Sequence, residues 1–131
     1  MYRPFGGYIR SGMHADQHFI GNPGSIAAAR QFVKRIFGEW GLPDHEAVLL
    51  VSELATNAVV HAHTDYQVDV TRTDGVVRVA VTDGNPTAPE AVEPPVSHDA
   101  PGGRGLWLVV RLARRWGYEL DGASKTVWFE L

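Results

Sequence analysis

Residues 53–62 read ELATNAVVHA, and this stretch joins a regular apolar pattern to a line of polar side chains. The apolar positions recur at helical spacing and predict a helix over about 45–62. Glu53 and Asn57 are four residues apart, so their side chains stand one turn apart on the same face, and His61 extends that line by another turn. A carboxylate beside an amide oxygen suits a hard cation held against a phosphate. The alternative interpretation is the solvated face of an ordinary amphipathic helix.

Outward from this helix, the chain divides into helical and extended segments. Ser25 and Asp44 are predicted to be the N-caps of the first two helices, and Gly117 the C-cap of the third. Helices packed on one face of a mostly antiparallel sheet make an α+β fold, a two-layer α/β sandwich with three main helices. The predicted elements are helices over 26–40, 45–62 and 106–115, a hairpin of strands around 68–70 and 77–81 with its turn at 73–75, and a closing hairpin of 118–120 and 126–131 around 121–122.

The domain organisation follows from length and from two irregular stretches. A chain of 131 residues is the size of one ordinary domain. Residues 1–22 are predicted to be a poorly ordered N-terminal extension, in which Phe19-Ile20 could begin a short edge strand, and residues 23–131 to be the domain itself. Residues 84–103 contain five prolines and little apolar content, which is typical of a functional lid or a disordered loop.

Composition excludes several classes of function. The net charge of −3 argues against nucleic acid as the main partner, because phosphate backbones select basic surfaces. There are no cysteines, so disulfides and thiolate metal sites are absent. No apolar run approaches the roughly 20 residues that span a bilayer, and the N-terminus lacks the apolar run of a signal peptide. We therefore expect a cytoplasmic protein with no membrane contact.

Two further segments carry residue types that suit a nucleotide. Asp83 ends a predicted strand beside Gly84, and its carboxylate could accept a hydrogen bond from an amine such as that of adenine; an ordinary turn is the alternative. Residues 102–105, Gly-Gly-Arg-Gly, precede a helix whose first amides could face an anion; a flexible helix entry is the alternative. His14 and His18 have metal-pair spacing, but their segment has no helical pattern, so we expect no metal site there.

Together, the order and spacing of these segments resemble one known family. Residues 53–62 resemble the N-box of the GHKL ATPase superfamily, and more closely that of small bacterial ATP-binding regulators related to anti-sigma factor serine kinases. Residues 81–84 resemble the adenine-binding box, residues 103–106 the second glycine box, and residues 125–128 the closing strand. The resemblance covers about 26–131. The adenine box departs from the usual Asp-x-Gly-x-Gly, since residues 83–87 read Asp-Gly-Asn-Pro-Thr.

The resemblance implies a Bergerat-type sandwich that holds ATP and Mg²⁺ under a mobile lid. It implies that Glu53 is the catalytic base, Asn57 the Mg²⁺ ligand and His61 a contact on the phosphate side. Asp83, with Gly84, would match the adenine-reading acid, and Thr126 would lie near the adenine base. The residues that would border the phosphates are Gly103, Arg104, Gly105 and Leu106.

Three functions are compatible with this interpretation. The first is a serine/threonine kinase that phosphorylates a small antagonist protein and restrains a sigma factor, and retention of Glu53 and Asn57 favours it. The second is an ATP-responsive module that captures partners through a nucleotide-gated lid without phosphate transfer, which the altered adenine box favours. The third, a structural adaptor without nucleotide, requires the polar set to be a coincidence. The resemblance also suggests a homodimer.

Overall fold

The computed structural model describes residues 12–89 and 105–131, and in them three helices cover one face of a five-stranded sheet. The sheet order is β1-β2-β3-β5-β4, and every neighbouring pair is antiparallel. The predicted α+β fold with a two-layer arrangement is confirmed. The elements are β1 (Met13–Phe19), α1 (Gly24–Glu39), α2 (His45–Thr56), a π-helical segment (Asn57–Ala62), β2 (Tyr66–Thr73), β3 (Val76–Asp83), α3 (Gly105–Leu112), β4 (Arg115–Leu120) and β5 (Lys125–Glu130).

The core lies between the helices and the sheet. Alternate residues of β2, β3 and β5 face it, as the period of two in a strand requires. Their partners are the apolar stripes of α1 and α2, which bury side chains at helical spacing. The most deeply buried large side chains are Val33, Phe37, Leu50, Val51, Tyr66, Val68, Val70, Val79, Val109 and Phe129.

Both predicted hairpins are present. Asp74 and Gly75 have φ angles of 52° and 80°, so the turn between β2 and β3 has the left-handed pair of residues that matches strand twist. In the closing turn, the Asp121 carboxylate accepts hydrogen bonds from the backbone N–H groups of Ala123 (3.0 Å) and Ser124 (2.7 Å). These bonds favour the ionised form and lower the pKa of Asp121.

The N-terminal prediction was wrong for part of its range. Residues 13–19 form the edge strand β1, which pairs with β2 from Met13 opposite Arg72 to Phe19 opposite Tyr66. The strand depends on backbone pairing and on one apolar anchor, because Phe19 is buried and stacks on Tyr66 at 5.3 Å between ring centroids. Residues 1–11 lie outside the described part of the chain.

The helix N-termini also differ in detail from the prediction. Ser25 lies inside α1 instead of capping it, and its backbone N–H donates to Oδ1 of Asn22 at 3.1 Å. The Ser25 hydroxyl is 2.8 Å from the Tyr66 hydroxyl, which joins α1 to the sheet. Burial raises the pKa of Tyr66, and the bond to Ser25 only partly opposes that rise. Asp44 precedes α2 as predicted but makes no side-chain capping bond.

Gly117 was predicted to end the third helix, and this was wrong. The helix ends at Leu112, and Gly117 lies within β4, opposite Trp128 of β5. A methyl group at Gly117 would lie 2.6 Å from Cζ2 of Trp128. The glycine is therefore required by the close approach of the indole ring, which also lies under the Arg78 guanidinium at 3.7 Å.

Replacement of Gly117 by alanine is expected to lower the free energy of unfolding by about 1–3 kcal/mol, because the added methyl group overpacks against Trp128. Gly38→Ala is the matched control: no atom lies within 4 Å of its added methyl group, and alanine in a helix is favoured by about 0.5–1 kcal/mol. Urea denaturation of both variants measures the difference. Equal unfolding free energies would contradict the packing explanation.

Candidate functional site

The helix that carries the polar line changes its winding at Asn57. The prediction of one helix over 45–62 is replaced by α2 as far as Thr56 and a π-helical turn from Asn57 to Ala62. Asn57 itself keeps α-helical angles (φ −60°, ψ −42°), and its N–H reaches the Glu53 carbonyl. The backbone therefore places Glu53 and Asn57 one α turn apart. Single π turns inside helices frequently occur at functional sites.

The polar line runs along the margin of the buried helix face. Leu54 and Ala58 are buried, whereas Glu53 and Asn57 are partly exposed and His61 is exposed. Because the side chains of Glu53 and Asn57 are partly exposed, a ligand can reach their oxygen atoms from solvent. Glu53 and Asn57 are thus both partly exposed, whereas His61 is more exposed to solvent.

A hydrogen bond joins the end of this helix to the end of β3. The π-helical turn stops at His63, which adopts the left-handed conformation (φ 56°, ψ 38°). The next residue, Thr64, accepts a hydrogen bond at Oγ1 from the backbone N–H of Gly84 at 3.0 Å. Gly84 directly follows Asp83. The C-terminal end of the polar helix therefore lies beside the C-terminal end of β3, where the candidate adenine-reading acid is located.

Asp83 is buried and already has two protein partners. Its side chain is 4% exposed; Oδ2 lies 3.3 Å from Nζ of Lys125, and Oδ1 accepts from the N–H of Asn85 at 2.9 Å. Asp83 comes two residues after the buried Val81 in β3, and residues two apart in a strand face the same side. The Asp83 carboxylate therefore faces the core side of the sheet. A desolvated charge needs such partners, and removing one of them is strongly destabilising.

The structure does not bring Thr126 to Asp83. Thr126 pairs with Thr82, and their hydroxyl oxygens are 2.8 Å apart on the sheet face opposite to the Asp83 side chain. The register instead places Lys125 opposite Asp83. Lys125 was missed from the sequence, because strand pairing register cannot be obtained from one isolated strand.

The second glycine segment is described only in part. Gly105 and Leu106 begin α3, which packs against α2, whereas Gly103 and Arg104 lie outside the described residues. The helix is followed by Arg114, whose N–H donates to the Glu130 carbonyl at 2.8 Å. That carbonyl lies at the opposite end of the β3–β5 strand pair from Asp83. Of the predicted lid over 84–103, only 84–89 are described.

Comparison with known proteins identifies the family of this fold. A family model described as the histidine kinase-like ATPase domain matches residues 19–131. The chain belongs to this family. The match includes Phe19 at the end of β1, and it covers the polar helix line, Asp83 and the start of α3 in one continuous segment. The histidine kinase-like ATPase domain accordingly implies ATP as the ligand.

A solved structure supports the same fold. The crystal structure of the RsbU and RsbW domains of Rv1364c from Mycobacterium tuberculosis superposes with a TM-score of 0.66 at 17% sequence identity. The alignment covers 88% of this chain and 32% of that one, so the chain spans about a third of that protein. No curated protein matches the chain. Among the described residues, no helix of this ATPase domain is both long and apolar enough to cross a membrane.

Proposed function

We propose that this domain binds ATP with Mg²⁺ and transfers the terminal phosphoryl group to a serine or threonine of a partner protein. The observation that carries the proposal is the Glu53–Asn57 pair, one helical turn apart in a chain of the histidine kinase-like ATPase family. Phosphoryl transfer needs mainly positioning and charge neutralisation, together with one proton acceptor. This pair offers a carboxylate and an amide oxygen at partial exposure.

The roles at the phosphate end follow from the chemistry of the side chains. Oxygen ligands suit Mg²⁺, so the Asn57 amide oxygen would hold the ion. When bound, Mg²⁺ neutralises charge on the phosphates. Glu53 would take the proton from the attacking hydroxyl while that oxygen bonds to the γ-phosphorus and ADP leaves. His61 would contact the phosphate side, and Gly103, Arg104, Gly105 and Leu106 would border the phosphates.

The adenine end would be read by Asp83 with Gly84. The Thr64–Gly84 hydrogen bond fixes the C-terminal end of β3 relative to the polar helix. The adenine at Asp83 and the phosphates at Glu53 and Asn57 would therefore belong to one continuous site. Lys125 would compete with the adenine amine for Oδ2 of Asp83, since it lies 3.3 Å away. Oδ1, which accepts one backbone bond, has a remaining lone pair for that amine.

The proposed protein partners are a sigma factor and its antagonist, with the antagonist as the phosphorylation substrate. The resemblance of residues 53–62 to the N-box of regulators related to anti-sigma factor serine kinases supports the choice of these partners. A homodimer in the cytoplasm is part of the same proposal. The acidic net charge of −3 supports protein partners over nucleic acid.

Removing the adenine amine from the ligand tests the role of Asp83 without disturbing its ion pair. Purine riboside triphosphate lacks this amine, and we expect it to bind at least about tenfold more weakly than ATP, because a hydrogen bond to a charged group is lost. Calorimetric titration with both nucleotides measures the ratio. Equal affinities would show that Asp83 has a structural role only.

A non-catalytic, ATP-binding regulatory module is the second candidate. It is favoured by the engagement of both Asp83 oxygens with Lys125 and Asn85 in an adenine box that continues Asn-Pro-Thr. Such a module would bind partners through a nucleotide-gated lid. ATP binding without phosphate transfer to any of the candidate antagonists would select it over the kinase.

A further inference from the structure

A histidine and two aspartates meet on the sheet face that points away from the helices. His14 and Asp16 lie on β1, and Asp16 pairs directly with Asp69 of β2. Asp69 lies between Val68 and Val70, whose side chains are in the core, so the carboxylate projects to the opposite face. The cluster is therefore separated by the sheet from the helix that carries Glu53 and Asn57.

The spacing of the three side chains matches a metal coordination sphere. Nε2 of His14 is 3.2 Å from Oδ1 of Asp69 and 3.3 Å from Oδ2 of Asp16. One ligand atom from each residue lies within 4.8 Å of the other two. Atoms bound to Zn²⁺ at about 2.0–2.2 Å in a tetrahedron are themselves about 3.3–3.6 Å apart. The third pair, an oxygen of Asp16 and an oxygen of Asp69, lies within 4.8 Å and would draw closer when the ion binds.

The charges of the cluster favour a cation. Nε2 of His14 lies beside one oxygen of Asp16 and one oxygen of Asp69, so a nitrogen and the oxygens of two carboxylates converge on one point. A divalent ion at the same point would neutralise both. Asp69 is 5% exposed, so its negative charge is largely removed from water. The Gln67 side-chain amide donates toward both Asp69 oxygens at 3.2 and 3.3 Å, as the outer partners of metal-binding carboxylates do.

We propose that His14, Asp16 and Asp69 form a Zn²⁺ site that joins the edge strand β1 to β2. One imidazole nitrogen and two carboxylate oxygens are a ligand set of the type Zn²⁺ accepts, with water as the fourth ligand. The proposal is independent of ATP and goes beyond the proposed function. Without metal, the same residues would form a hydrogen-bonded ion pair between the two strands, and this is the outcome to be distinguished.

The test is titration of the full, metal-free chain with Zn²⁺ in the absence of nucleotide. Calorimetry is expected to show one saturable site per chain, and Co²⁺ in its place is expected to give visible absorption typical of low coordination number. His14→Ala should weaken binding at least about tenfold, since even outer-shell changes cost about 10–100-fold. His18→Ala is the matched control, because His18 lies on the same strand beside Asp65 at 3.5 Å with both side chains exposed.

Asp69→Asn provides a second variant with nearly unchanged shape, in case His14→Ala disturbs β1. It is expected to lose Zn²⁺ binding to a similar extent, while circular dichroism confirms an intact fold. No one-to-one Zn²⁺ binding by the unaltered chain would overturn the proposal and leave the ion pair alone. Equal Zn²⁺ affinity of the His14→Ala and His18→Ala variants would overturn it as well.

Discussion

Glu53→Gln is expected to reduce phosphoryl transfer by about 10²–10⁴-fold, the contribution typical of a positioned general base. Glutamine has the shape of glutamate but cannot accept the hydroxyl proton at neutral pH. Because Glu53 lies at the margin of α2 and is only partly buried, the substitution leaves the core contacts of Leu50, Val51 and Leu54 intact. ATP affinity should therefore change little.

The measurement is labelling of candidate antagonist proteins with γ-labelled ATP and Mg²⁺, alongside calorimetric titration of ATP. Glu46→Gln is the matched control, since Glu46 is exposed in the first turn of the same helix, away from Asn57. It should label the antagonist at the unaltered rate. If Glu53→Gln labels as fast as Glu46→Gln, Glu53 is not the base.

Asn57→Ala is expected to reduce phosphoryl transfer by about 10²–10³-fold, because the charge stabilisation from a bound metal amounts to several kcal/mol. Alanine removes the oxygen ligand and favours the helical backbone, so the chain should remain folded. Asn57→Asp keeps an oxygen at the same place and should restore much of the rate. The same labelling assay measures both variants, and equal rates for them would contradict a role as metal ligand.

The strands near the core could be predicted from the sequence because local pattern and burial agree. Val68 and Val70 alternate with polar residues, and Asp74-Gly75 has the backbone freedom that a tight hairpin requires. Neither inference depends on distant parts of the chain. The α+β fold was therefore predictable from short segments, each with one consistent periodicity.

Only Phe19 of the edge strand β1 was predicted to be extended, because what stabilises the rest of the strand lies elsewhere in the chain. β1 has few buried side chains and depends on pairing with β2, more than 45 residues further on, with His14 and Asp69 themselves 55 residues apart. The spacing between His14 and His18 therefore gave no information about the residues that lie beside His14, which are Asp16 and Asp69. Its candidate partners come from β2, and from Asp16 on its own strand.

Residues around the nucleotide end show a limit of another kind. A shift of one residue in a strand reverses the face of every side chain. The family resemblance implies Thr126 near the adenine base, and this stays a prediction, but it did not indicate that the register sets Lys125 beside Asp83. Gly117 shows the same limit: glycine after a helix suggests a cap, but here it admits the indole ring of Trp128. The helical line of Glu53 and Asn57 was predictable, since the two residues are only four positions apart on continuous helical backbone.

The central claim is that Asn57 holds a divalent ion against the phosphates of ATP. Calorimetric titration of ATP, with and without Mg²⁺, on the unaltered chain and on Asn57→Ala tests it most directly. We expect Mg²⁺ to strengthen ATP binding by the unaltered chain at least about tenfold, which corresponds to about 1.4 kcal/mol, and to have no effect on the variant. The same dependence on Mg²⁺ in both proteins would contradict the claim.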